Sequence, residues 1–141
     1  MNIKEIRNLT SPEFEELRNI YVSTFPLEST KQIGMFINHI NRMLQYDNRY
    51  HLFVVLEEGT MIGISLLYVF KYLKTALLDY MAVLPNFQGH GIGRKLFEFT
   101  HDEFNRLIPD NIGMFLEVPK ENVVDQDEKL RRKKRIQFYL G

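Results

Sequence analysis

A chain of 141 residues with 45% apolar and 26% charged content has room for one domain with a real core, which excludes a disordered or low-complexity segment. Eighteen Lys plus Arg against eighteen Asp plus Glu leave a net charge of zero, which argues against nucleic acid or a membrane surface as partner. Without cysteine there is no disulfide framework and no thiol nucleophile, and no apolar run is long enough for a membrane-spanning helix. The opening MNIKEIRNLT lacks the apolar stretch of a signal peptide, so a cytoplasmic protein with a single domain over residues 1–141 is expected.

In chain order, residues 2–9 alternate loosely and predict a short strand. Ser11-Pro12-Glu13 predicts a helix start, with a hydroxyl cap, proline at the first helical position and an acid in the first turn. Phe14, Leu17, Tyr21 and Phe25 then share one helical face, and Pro26 interrupts it. A second helix follows, with Ile33, Phe36, Ile37, Ile40, Met43 and Leu44 as its stripe. From His51 the period changes: HLFVVLEEGTMIGISLLYVF predicts two antiparallel strands joined at Glu57-Glu58-Gly59-Thr60, and residues 75–84 predict a third. Their nearly continuous apolar content implies burial on both faces, with helices packed on a central sheet.

The next helix is the most regular in the chain. Ile92, Leu96, Phe97, Phe104 and Leu107 face one way, while Arg94, Lys95, Glu98, Asp102 and Arg106 face the other. Pro109-Asp110 ends it. Residues 114–118 predict a short strand, 119–127 a loop, and about 127–140 a last helix. The order β-α-α-β-β-β-α-β-α describes one α/β domain with a mixed central sheet flanked by helices.

The stretch LLDYMAVLPNFQGHGIGRKLF carries the chemistry. A buried strand ends at Leu84-Pro85, the turn holds Gly89, Gly91 and Gly93, and a helix begins at once. Glycines remove side chains where backbone N–H groups must approach something closely, and a helix N-terminus adds unsatisfied donors and partial positive charge. Together they suit a phosphate or pyrophosphate. The competing reading is a turn that merely packs a strand against a helix. Counted from Gly89, a G-x-G-x-x-G fingerprint fails at Arg94, and the Gly-Lys-Ser/Thr of a Walker loop is absent.

What remains, Gln88-Gly89-His90-Gly91-Ile92-Gly93, matches the pattern Gln/Arg-x-x-Gly-x-Gly/Ala. It resembles the pyrophosphate loop of the GNAT superfamily of N-acetyltransferases, and Met81-Ala82-Val83-Leu84-Pro85 is similar to that family's approach to the loop. The element order matches over nearly the whole chain. The resemblance implies acetyl-CoA as donor, with its pyrophosphate on the backbone amides of Gln88, Gly89, His90, Gly91, Ile92, Gly93 and Arg94. It implies that Met81 and Val83 pair their backbone with the pantetheine arm as if it were an added strand. Phe138-Tyr139 resembles the family's Phe-Tyr pair, which makes Tyr139 the general acid for the departing thiolate; a phenol stays protonated at neutral pH. A core contact of the last helix is the alternative role for that residue.

Glu117, within the apolar run Met114-Phe115-Leu116-Glu117-Val118, is the first candidate base and Asp79 the second; a structural carboxylate is the competing reading for both. His39, His51, His90 and His101 have no metal-ligand spacing, so no metal is expected. The implied acceptor is a small-molecule or peptide amine, and the implied activity is N-acetyl transfer by direct attack in a ternary complex. The alternative is a non-catalytic acyl-CoA-binding sensor or scaffold.

Three departures from the family pattern stand out. The family continues past its Phe-Tyr pair into two further strands, whereas this sequence stops at Gly141, so the edge at 114–118 is expected to pair with a second copy as a homodimer or to be covered otherwise. Lys129, Arg131, Arg132, Lys133, Lys134 and Arg135 crowd the last helix, as an attractor for the adenosine 3′-phosphate or as a solvated face. Some relatives carry Glu-Arg soon after a Phe-Pro, yet Leu27-Glu28-Ser29-Thr30 follows Phe25-Pro26 here. For Tyr139, Phe substitution keeps the ring and removes the proton: CoA binding should survive while turnover falls by about 100-fold or more, measured by thiol release. Unchanged turnover would assign the residue to packing.

Overall fold

The computed structural model describes residues 1–24 and 30–116. Phe25-Pro26, Glu117, Tyr139, the loop at 119–127 and the last helix lie outside the described residues. The elements are β1 (Asn2–Ile6), α1 (Ser11–Thr24), α2 (Thr30–Tyr46), β2 (Tyr50–Glu57), β3 (Thr60–Phe70), β4 (Thr75–Val83), α3 (Ile92–Leu107) and β5 (Gly113–Leu116), with a short 3-10 turn at Pro85–Phe87. This is the mixed α/β arrangement expected from the sequence. The first strand stops at Ile6, short of Leu9, and the 3-10 turn intervenes between β4 and the glycine loop.

Helix α1 starts one residue away from its predicted cap. Thr10 N–H donates to Glu13 Oε1 at 2.8 Å and Glu13 N–H donates to Thr10 Oγ1 at 3.4 Å, a reciprocal capping box. Ser11 is thus the first helical residue, and Pro12 still falls in the first turn, where a missing N–H is harmless. The hairpin between β2 and β3 turns at Glu58 (φ 51°) and Gly59 (φ 82°), inside the pair Glu57–Thr60. Two positive φ values define a two-residue turn whose twist matches the strands.

The sheet runs β1-β2-β3-β4-β5, antiparallel except for the parallel pair β4–β5. A parallel pair needs a crossover, and α3 supplies it. Helices α1 and α2 cover one face, where Leu17, Ile20, Ile40 and Leu44 meet Leu52, Val54, Ile64 and Leu66. Helix α3 covers the other, where Leu96 and Phe104 meet Phe53, Val55, Leu67 and Val69. Burial on both faces accounts for the apolar runs. On α3 the buried line is Ile92, Leu96, Thr100 and Phe104. Phe97, one step of 100° from Leu96, falls at its edge and lines a groove of about 280 Å³ with Glu98, His101, Asp102, Met114 and Leu116.

Two bulges break the alternation of the sheet. In β3, Gly63 faces Val55 and Met61 faces Leu56, which leaves Ile62 as the extra residue. Glu16 of α1 accepts the Met61 N–H at 3.0 Å, so a backbone donor beside the bulge has a partner. In β4, Leu78 faces Leu67 and Tyr80 faces Leu66, which leaves Asp79 as the extra residue. The effect on parity is visible in the core: Ala76 packs on the α3 side, and so do Met81 and Val83, an odd number of positions later. Ordinary alternation would have sent them to the opposite face.

Thr100 and Ser65, both fully buried, join α3 to β3. Their hydroxyls lie 2.8 Å apart, and Thr100 Oγ1 also lies 2.8 Å from Leu96 O. One hydroxyl proton serves one acceptor, so Thr100 donates to Leu96 and Ser65 donates to Thr100. Thr100→Val should strand the Ser65 hydroxyl and destabilise the protein by about 1–3 kcal/mol. Ser65→Ala should be milder, and the double variant should lose less than the sum. Denaturant titrations of the four proteins check the cycle.

Candidate active site

The glycine loop is built by two left-handed residues. Gly89 has φ 82° and Gly91 φ 80°, a region that L side chains occupy with strain, so the turn itself demands glycine at both. Among the described residues, a Cβ built at either position meets nothing within 4 Å, so packing against them makes no such demand. Gly91 is the N-cap of α3, and no side chain caps the helix there. The first intrahelical bond from this end is Lys95 N–H to Gly91 O at 3.1 Å. The N–H groups of Ile92, Gly93 and Arg94 precede it, which is where a helix carries unsatisfied donors. No acid occupies the first turn, and the exposed Arg94 and Lys95 follow directly. Cations at this end oppose the helix dipole by about 0.3–1 kcal/mol each. An anion in front of the loop reverses that sign.

The strand that leads into the loop presents a second backbone edge. Leu84 N–H donates to Ile62 O at 2.8 Å, and alternate residues of an antiparallel ladder turn their backbone groups to opposite edges. Met81 faces Ser65 and Val83 faces Gly63, so the N–H and C=O groups of Met81 and Val83 are directed away from β3. Among the described residues, β5 pairs with β4 only over residues 75–78. Gln88 ties edge and loop together: its Nε2 donates to Val83 O at 2.9 Å. The structure thus brings Met81, Val83 and the loop into one continuous backbone surface. His90 is exposed on it.

Two candidates from the sequence, Glu117 and Tyr139, lie outside the described residues. Asp79 does not have the buried setting its strand suggested; it is exposed at the bulge. The neighbouring Tyr80 was not anticipated. On the α1 and α2 face its ring meets Phe36 at 5.3 Å and Tyr21 at 5.9 Å between centroids, and Tyr21 stacks on Phe36 at 4.1 Å. Beyond it, Tyr50 stacks on Tyr68 at 4.2 Å. Burial, and next the charge of Asp79, push the Tyr50 phenol up from its ordinary value. The signal that could have found this face was a lone acid between Leu78 and Tyr80 in an otherwise apolar strand. Among the described residues no three His, Asp or Glu side chains converge as a metal site, and no helix is long and apolar enough to cross a membrane.

The order of strands, the crossover helix and the loop at its N-terminus describe an acyl-transfer fold. The model of the acetyltransferase (GNAT) family matches residues 6–124, and the chain belongs to that family: it is an acetyltransferase. Among solved structures it is similar to an aminoglycoside acetyltransferase from an uncultured soil metagenomic sample, solved with sisomicin. The two share 23% identity over 94% of this chain and 85% of that one, with a TM-score of 0.67. It is similar to the aminoglycoside N-acetyltransferase AAC(6')-Iy in complex with CoA, at 17% identity over 93% and 85% of the chains and a TM-score of 0.65. A ribosomal-protein-alanine N-acetyltransferase from Brucella melitensis biovar Abortus is similar at 14% identity, over 96% and 91%, with a TM-score of 0.64. At these identities the likeness is one of fold. No curated protein matches the chain.

Gln88→Met keeps the length of the side chain and removes the donor to Val83. It should lower stability by about 0.5–1.5 kcal/mol. Amide exchange should accelerate at Gly89 and Gly91 while the core of α3 stays protected. Unchanged exchange in the loop would show that the bond does not hold it.

Proposed function

We propose that the protein transfers the acetyl group of acetyl-CoA to a primary amine by direct attack within a ternary complex. The observation that carries this reading is the uncapped N-terminus of α3, opened by two left-handed glycines and followed by two cations. Such an end suits a diphosphate, which takes several N–H donors at once and offsets the charge of Arg94 and Lys95. In this reading the amides of residues 88–94 hold the CoA pyrophosphate, and the backbone of Met81 and Val83 pairs with the amides of the pantetheine arm. The solved complex of AAC(6')-Iy with CoA supports a CoA thioester as donor.

With the arm laid along β4, the thioester carbonyl lies toward the bulge, and the amine approaches from the face of α1 and α2. The amine must lose a proton before it attacks, and Glu117 is the proposed base. Glu117 takes that proton, the nitrogen lone pair of the amine forms the C–N bond as the C–S bond breaks, and the sulfur takes a proton from Tyr139. Backbone positioning of both partners supplies much of the acceleration, because a near-attack geometry removes an entropic barrier of several kcal/mol, about 7–11 at best. A small-molecule or peptide amine is the acceptor class. The similar proteins act on aminoglycosides and on a ribosomal-protein alanine, which spans both kinds.

Gly91→Asp and Gly91→Asn separate shape from charge at the loop. Both side chains tolerate a left-handed φ better than most, so each variant should stay folded within about 1–2 kcal/mol of the parent. In calorimetry with acetyl-CoA, Asn should weaken binding and Asp should weaken it by at least a further tenfold or so, through like charge against the diphosphate. A parent protein that binds acetyl-CoA no better than ATP would defeat the reading.

A further inference from the structure

The bulge of β3 carries main-chain anchors on two consecutive residues. Met61 N–H donates to Glu16 Oε2 of α1 at 3.0 Å, and Ile62 O accepts from Leu84 N–H at 2.8 Å. Neither partner belongs to β2, the strand that Met61 and Gly63 face. Pro85 follows Leu84 and has no N–H, so the Leu84 bond is the last that this end of the ladder can draw from the chain leaving β4. From there the bonds run on to the loop. Phe87 N–H donates to Leu84 O at 2.9 Å, Gln88 N–H to Pro85 O at 3.2 Å, and Gln88 Nε2 to Val83 O at 2.9 Å. Gly89 comes next in the chain. The packing along this path is tight: a Cβ on Gly63 would meet Ala82 O and Val83 Cγ2 at 3.3 Å each, and Leu84 packs against both cores. Dense packing passes a shift on instead of absorbing it.

Glu16 is the charged group at the head of this path. Met61 is only 1% exposed, so its N–H depends on an acceptor within the protein, and the half-buried carboxylate supplies one. Such a charge-assisted bond is roughly twice as strong as a neutral one. We propose that Glu16 is a positioning residue for the donor site: by holding the β3 bulge it sets where β4 gives way to the glycine loop, and with that the affinity for acetyl-CoA. The inference rests on the donor reading above. In that reading the amine arrives on the α1 and α2 face, so one carboxylate joins the acceptor-side helix to the donor loop. Glu16 acts through Met61, Ile62 and Leu84 and takes no part in the chemistry.

The test is calorimetry with acetyl-CoA and amide exchange on the full chain, with thermal unfolding of each protein alongside. Glu16→Leu removes the acceptor at similar size and should weaken acetyl-CoA binding by about fivefold or more. It should also speed exchange at Leu84 and Gln88 by about tenfold, while Leu96 and Phe104 in the middle of α3 stay protected. Glu16→Gln keeps a carbonyl oxygen at the same reach and should bind within about twofold of the parent. Glu16→Asp withdraws the carboxylate by one methylene and should lose affinity as the Leu variant does, which keeps the test decisive should Glu16→Leu not fold. Ile40→Val, a core change on α2, is the control for stability: it should lower Tm and leave acetyl-CoA affinity unchanged. Parent-like affinity in the Leu and Asp variants would overturn the proposal. So would a Gln variant that loses as much as Leu, or an Ile40→Val variant whose affinity falls with its Tm. A parent that does not bind acetyl-CoA at all defeats the donor reading, and this proposal with it.

Discussion

One extra residue in β4 sets the geometry on which the site depends. Side chains along a strand alternate between faces, and inserting Asp79 between Leu78 and Tyr80 resets that alternation. Upstream, Ala76 belongs to the α3 side of the core; downstream, Met81 and Val83 do, while Tyr80 and Ala82 turn toward α1 and α2. The same reset fixes which residues direct their backbone groups to the outer edge of the strand. The exposure of Asp79 and the outward turn of the Met81 and Val83 main-chain groups therefore come from a single irregularity, and Gln88 reaches one of those groups, Val83 O. The second bulge, at Ile62, belongs to the neighbouring β2–β3 pair and lies next to Gly63, whose partner on β4 is Val83. Gly63 admits that partner closely: a Cβ there would meet Ala82 O and Val83 Cγ2 at 3.3 Å each.

Helix α3 transmits the geometry of the sheet to the loop. Its middle is held by the Ser65–Thr100 hydroxyl pair and by the packing of Leu96 and Phe104, and its entry is held by the Gln88–Val83 bond. The amides at its N-terminus are thus fixed relative to β4 by contacts at two levels along the helix. Arg7 plays a comparable part across the molecule. Its guanidinium donates to Tyr50 O at 2.6 Å and Leu44 O at 2.7 Å, which joins the first strand, the end of α2 and the start of β2.

Much of this was legible in the sequence. The helical stripes gave α2 and α3 because their apolar spacing follows 3.6 residues per turn, and Glu58-Gly59 gave the hairpin because its turn needs positive φ. The glycine loop was legible for the same conformational reason. The cap at Thr10 was also readable, since Thr10-Ser11-Pro12-Glu13 carries the Thr-x-x-Glu of a capping box, but Ser11 beside it offered a competing hydroxyl. The bulges were not legible. A strand buried on both faces is apolar throughout, so an inserted residue leaves no break in the pattern. Only the acid at Asp79 marked the place. Thr100 was missed because a buried hydroxyl looks polar until its partner on another element is known.

The basic first turn of α3 also bears on how the protein holds together. Where Arg94 and Lys95 sit against the positive pole of the helix, the ligand-free molecule keeps a locally frustrated end. Such ends fray first, and the loop before it is tied by the Gln88 side chain to Val83 O and by the Gln88 N–H to Pro85 O. A polyanion bound there would relieve the repulsion and order the turn in one event. Mass action then couples the two: at about 100 times the dissociation constant, occupancy adds about 2.7 kcal/mol to the stability of the whole domain. In a small protein of marginal stability, abundance of the folded form would follow the supply of that ligand.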